Sequence, residues 1–123
     1  MYGLPDDFDP AFLEGQTVLQ VCVGENEVIL HLEGSHPQRG GISITIMSTA
    51  VVVEGAQAVE YDEPKQLGSS LVTFLGCSTT RSTSDASGRL RLDFGADRSI
   101  ELRDDADQFE SYVIAVGDRT VIV

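Results

Sequence analysis

The chain's two histidines, His31 and His36, lie on either side of Glu33, a donor set that could hold a divalent metal. His31 and Glu33, however, fall in the alternating segment VILHLE, and His36 lies beyond it beside Pro37. No second pair of ligands stands at a standard spacing, and a structural site wants four. The stretch Asp104-Asp105-Ala106-Asp107 with Glu110 has the composition of a calcium loop, but the glycine that bends an EF-hand loop is missing and the span to Glu110 is too short. A solvated acidic turn is expected there. No G-x-S-x-G elbow occurs, and the hydroxyls of CSTTRSTS have no histidine nearby in sequence to act as a base. Carboxylate pairs such as Asp62-Glu63, or Asp93 with Glu101, are too common in an acidic chain to mark a general acid and base. Gly40-Gly41 precedes a strand and so lacks the helix N-terminus that makes a phosphate cradle. The residues point away from an enzyme and call for no cofactor and no metal.

The elements that must position these residues are mostly strands. Period-2 alternation runs through Val18 to Val23, Val28 to Glu33, Ile42 to Met47, Arg89 to Phe94 and Ser99 to Arg103, with shorter apolar pieces at Val51 to Val53, Tyr112 to Val116 and Thr120 to Val123. Glycine-bearing turns separate them, as a series of hairpins requires. One segment has a helical period: Leu67, Leu71, Phe74 and Leu75 follow Asp62, Glu63 and Pro64, predicting a helix that ends at Gly76. These four residues should line a buried face against the strands holding Leu90, Leu92, Ile100 and Leu102. Gly68 is costly inside a helix, by about 1 kcal/mol. A shorter helical turn is expected at Asp9 to Glu14, with Asp9 as cap and Pro10 in the first helical position.

The fold class is therefore α+β: antiparallel β-meanders with one clear helix and one short one, in a single domain over residues 1–123. The two halves also match each other, over units 9–60 and 64–123. Phe12 to Gly15 matches Phe74 to Gly76, Leu30 and Leu32 match Leu90 and Leu92, and Ile42 and Ile44 match Ile100 and Leu102. This is the signature of a duplicated helix–meander unit. The first unit carries an inserted loop from Gly34 to Gly41, a candidate contact site. In the second, the polar stretch Ser78 to Ser84 replaces the apolar first strand; it should form an exposed edge, with Arg81 guarding it against pairing.

Composition sets the remaining bounds. The 123 residues contain 20 Asp and Glu against 8 Lys and Arg, a net charge of −12, with 41% hydrophobic residues. Such a field repels phosphate backbones and anionic lipid and attracts basic proteins, so no nucleic acid and no membrane partner is expected. No apolar stretch approaches the roughly 18 residues that span a bilayer, and the start MYGLPDDFDP is acidic where a signal peptide would be basic. The expected compartment is cytoplasmic. Cys22 and Cys77 are too few for a disulfide framework and should be reduced and buried.

The second half, through FLG, GRLRLDFGADRSIELRDD, DQFESYVI and GDRTVIV, resembles a family of small bacterial proteins of unknown function that are often encoded beside toxin genes. Its distinctive motif is Phe109-Glu110-Ser111-Tyr112 after the acidic turn. The resemblance implies an immunity protein that neutralises a cognate toxin, and with the charge it suggests a basic toxin domain as partner. The acidic residues expected to meet it are Glu54, Glu60, Asp62 and Glu63 after the third strand of the first unit, and Asp104, Asp105, Asp107 and Glu110 after the third strand of the second. Two other classes are compatible with the sequence. One is a small enzyme or ligand-binding module with a pocket between the two meanders; the other is an assembly subunit pairing through its polar edge.

Overall fold

The computed structural model describes residues 3–34, 41–106 and 110–123. A 3-10 turn, Pro10–Leu13, opens the chain, with the Asp9 side chain accepting from the Ala11 N–H as the expected cap. Strands β1 (Thr17–Val23), β2 (Val28–Glu33) and β3 (Ile42–Ile46) follow, then a hairpin of β4 (Ala50–Glu54) and β5 (Gln57–Tyr61). The second half repeats that order: helix α1 (Pro64–Leu71) running into a 3-10 turn (Val72–Phe74), strands β6 (Arg81–Ser84), β7 (Leu90–Asp93) and β8 (Arg98–Leu102), and a hairpin of β9 (Tyr112–Val116) and β10 (Arg119–Ile122). The α+β class and the meanders expected from the alternation are both present. No helix among the described residues is long and apolar enough to cross a membrane.

The strands form two five-stranded antiparallel sheets, ordered β1-β2-β3-β9-β10 and β5-β4-β8-β7-β6. Each sheet thus takes a three-stranded meander from one half and the terminal hairpin of the other. Counted from the hairpin that joins each meander, Ile44 faces Ile114, the third residue of β9, and Ile100 faces Val52, the third residue of β4, with Leu30 opposite Ile44 and Leu92 opposite Ile100. By position in the sheets, Leu30 therefore corresponds to Leu92 and Ile44 to Ile100, a shift of two residues from the sequence match. Because side chains alternate with period 2, that shift leaves the same residues facing inward.

Inward rows from both sheets, among them Leu30, Leu32, Ile44 and Ile114 from the first and Val52, Leu92, Ile100 and Leu102 from the second, belong to one core cluster. Side chains therefore fill the space between the meanders, where a ligand pocket had been one expectation. Across the outer face of the first sheet run Gln20–His31–Ser43–Ala115–Thr120 and Cys22–Ile29–Thr45–Val113–Ile122. The outer face of the second sheet is charged: Arg81 opposes Asp93, Arg91 opposes Glu101, and Arg103 reaches Glu60 at 3.1 Å and Glu101 at 3.4 Å.

The helix differs from its expectation in extent and in its nearest neighbours. Leu67, Leu71 and Phe74 are buried, but Leu75 is 45% exposed. The chain leaves the helical path at Leu75, whose backbone is extended, and Gly76 then turns it with a φ of 81°. α1 lies nearest β1, β2 and β5, while Phe74 in the following 3-10 turn meets Phe94 edge-on and the guanidinium of Arg98 on β8. Leu67, Leu71 and Phe74 share one core cluster with Leu90, Leu92, Ile100 and Leu102. Gly68 faces Val23, and a Cβ there would fall 2.3 Å from Val23 Cγ2. The glycine that weakens the helix in isolation is what lets it approach β1.

The polar edge also needs correcting. β6 is an edge strand as expected, yet Thr79 and Ser82 are buried. Their hydroxyls donate to the Leu13 and Pro10 carbonyls, and the Glu14 carboxylate accepts from the Ser82 N–H at 3.0 Å. The first 3-10 turn, not Arg81, covers this edge, and burial is tolerated because each polar group has a partner. That cover engages the β6 edge at Ser82, on the strand through which an assembly subunit was expected to pair. Both cysteines are free, but each is only partly buried, against the expectation of full burial. Cys22 lies on the outward row of β1, and Cys77 sits 3.4 Å from the Arg98 guanidinium.

Candidate functional site

The residues proposed for partner contact separate into three environments. Glu54 and Glu60 on the β4–β5 hairpin face arginines, Arg98 at 3.9 Å and Arg103 at 3.1 Å respectively, so their charge is largely offset. Asp104 and Asp105, between β8 and β9, are built into the chain's own connections. Asp104 accepts from the Gly3 N–H at 2.8 Å and from the Ser111 hydroxyl at 2.8 Å. Asp105 accepts from the Ser48 hydroxyl and the Thr49 N–H, tying the β8–β9 connection to the β3–β4 turn. Partial burial pushes the Asp105 carboxyl up, but the hydrogen bonds from Ser48 and Thr49 outweigh it and hold it below the ordinary value. Glu110 is half-buried, while Asp107, like His36 and most of the Gly34 to Gly41 loop, lies outside the described residues. The two acidic clusters do not occupy equivalent positions: Glu54 and Glu60 lie on a hairpin whose counterpart is β9–β10, whereas Asp104 and Asp105 precede that counterpart.

Asp62 and Glu63 belong to the third environment, a cleft of about 500 Å³. Three pieces of backbone build it. The β1–β2 turn is closed by the Gly24 N–H donating to the Glu27 carbonyl at 2.8 Å, and it projects Glu25 and Glu27. The end of β3 supplies Ile46, Met47 and Ser48, and the start of α1 supplies Asp62, Glu63, Pro64 and Leu67. Ile46 and Leu67 are buried and form an apolar floor. Glu63 is the N-cap residue of α1, yet its side chain makes no capping bond, which leaves the carboxylate exposed at the rim.

None of Glu25, Glu27, Asp62 and Glu63 is in an ion pair among the described residues, whereas Arg89, Arg91, Arg98 and Arg103 are all engaged on or beside the second sheet. Nor do three metal-ligating side chains gather at one point among the described residues. The carboxylates ring the cleft instead of converging, an arrangement suited to an extended cation. Ser48, on the wall of this cleft, also bonds Asp105, which ties one residue of the second acidic run to the site of Asp62 and Glu63. Glu25 and Glu27 were missed because they look like ordinary turn residues. Only the placement of Pro64 and Leu67 opposite that turn gives them neighbours. No family model, curated protein or solved structure matches the chain.

Proposed function

We propose that the protein is a non-catalytic, cytoplasmic binding protein of the immunity type that receives a basic segment of a toxin domain in the cleft between the β1–β2 turn and α1. The observation that carries this reading is the ring of Glu25, Glu27, Asp62 and Glu63, without ion-pair partners among the described residues, around an apolar floor of Ile46 and Leu67. A lysine or arginine fits both parts: its aliphatic stem covers the floor while its charged head meets the carboxylates. Occupying the basic surface of a nucleic-acid-directed toxin would block its substrate. Complementary charge would act chiefly on the rate of encounter.

The test is to search the neighbouring genes for a toxin domain and to co-express it with this chain, followed by binding of the two purified proteins. Growth protection and a complex are expected. Reversing Asp62→Lys and Glu63→Lys together should slow association at least tenfold and flatten its dependence on salt. Both side chains are exposed, so the change should cost the fold no more than about 1 kcal/mol, the helix N-terminus being the main loser. No complex, or a complex indifferent to the double reversal, would overturn the reading.

A further inference from the structure

We propose that the outer face of the first sheet is the interface through which two copies of this chain associate. Neither outward row contains Asp, Glu, Lys or Arg, although the chain carries 20 acidic and 8 basic residues. The row Cys22–Ile29–Thr45–Val113–Ile122 is mainly apolar, and Ile122 on β10 at one edge of the sheet and Leu19 on β1 at the other are each about half exposed. The opposite sheet shows what an ordinary solvated face looks like in this molecule, with cross-strand Arg–Asp and Arg–Glu pairs over it.

Charge chooses the occupant. A basic partner has no carboxylate to recognise on these rows, and an acidic partner has no cation. A second copy, itself at −12, is repelled by carboxylate-bearing surface elsewhere and meets no like charge on these two rows, Glu33 standing at their margin on the end of β2. The face is self-complementary by its neutrality, as a twofold interface requires. Its size sets the strength. Five strands about 4.8 Å apart and about five residues long present a flat area of roughly 400 Å². A standard interface uses about 800 Å² of accessible surface per partner, so the dimer sits at the small end and is reversible.

Sedimentation equilibrium of the full chain over a range of concentrations tests this. A monomer–dimer equilibrium is expected, and it should tighten as salt rises from about 20 mM to about 500 mM, because the screening length falls from roughly 20 Å to about 4 Å while the neutral contact is unaffected. Thr45→Glu, on an outward and partly exposed position, should weaken dimerisation at least tenfold. A second readout alters no residue of the face: in Cys77→Ser protein, the rate of Cys22 thiol labelling should fall as protein concentration rises. A chain that stays monomeric to about 1 mM, a dimer that loosens with salt or ignores Thr45→Glu, or a concentration-independent labelling rate would overturn the proposal.

Discussion

Tyr112 shows how much one side chain can settle. It is fully buried, and its hydroxyl donates to the Gly88 carbonyl at 2.7 Å. Gly88 has a φ of 90°, and a Cβ there would strike Asp104, so the turn is fixed by glycine, by Asp104 and by the tyrosine at once. Burial, helped by the nearby Asp85 charge, pushes the Tyr112 phenol well above its ordinary value of 10.0. A raised value in the folded state means that stability is fully present below pH 10 and is lost as pH climbs above it. Tyr112→Phe should cost about 1–2 kcal/mol at neutral pH, since the Gly88 carbonyl loses its donor. The deficit should shrink above pH 10, and denaturant unfolding at pH 7 and pH 11 measures both. The sequence exposes Tyr112 as a core aromatic, but it does not show which carbonyl its hydroxyl reaches, since Gly88 is 24 residues away.

At the scale of elements, the helix was legible from its period and its proline, and the alternating strands from theirs. β5 was not, because Gln57 to Tyr61 is exposed almost throughout and so carries no alternation to read. The register between halves was also beyond the sequence, since a slip of two residues keeps every apolar residue on the same face. The cleft was half visible: Asp62 and Glu63 stand out as a helix start, while Glu25 and Glu27 acquire meaning only through packing. Leu71 is fully buried, and Leu71→Ala should cost about 2–5 kcal/mol in denaturant unfolding. Gly68→Ala offers a sharper test. On an isolated helix alanine would gain nearly 1 kcal/mol, but here its methyl must displace Val23. A net loss of about 1–2 kcal/mol is expected from that overpacking. In the Val23→Ala background the loss should disappear, which a double-mutant cycle would measure.

For the whole molecule, charge and topology divide the surface into regions with different uses. Arginines and carboxylates offset each other on the second sheet, four carboxylates without ion-pair partners among the described residues ring the cleft, and the two central outward rows of the first sheet carry none. The net charge alone announced an attraction for basic proteins without saying where. Asp104 and Asp105, which look as solvated as any acidic run, are tied into loops. Reversing them should unfold part of the chain instead of testing recognition. Thermal melting of Asp105→Lys, expected to show a lower Tm than Asp62→Lys, would separate the two roles.

The exchange of hairpins also has consequences during synthesis. β3 waits for β9 as its second neighbour, and β9 is made only after the whole of the second meander. Until then the nascent first half has an open strand edge along β3, and its own β4–β5 hairpin has no sheet to join. The first half must therefore stay incomplete until β9 and β10 have been made. Peptides cut near residue 62 should each fail to fold alone yet combine into the native structure when mixed, with circular dichroism of the separate and mixed halves as the measurement.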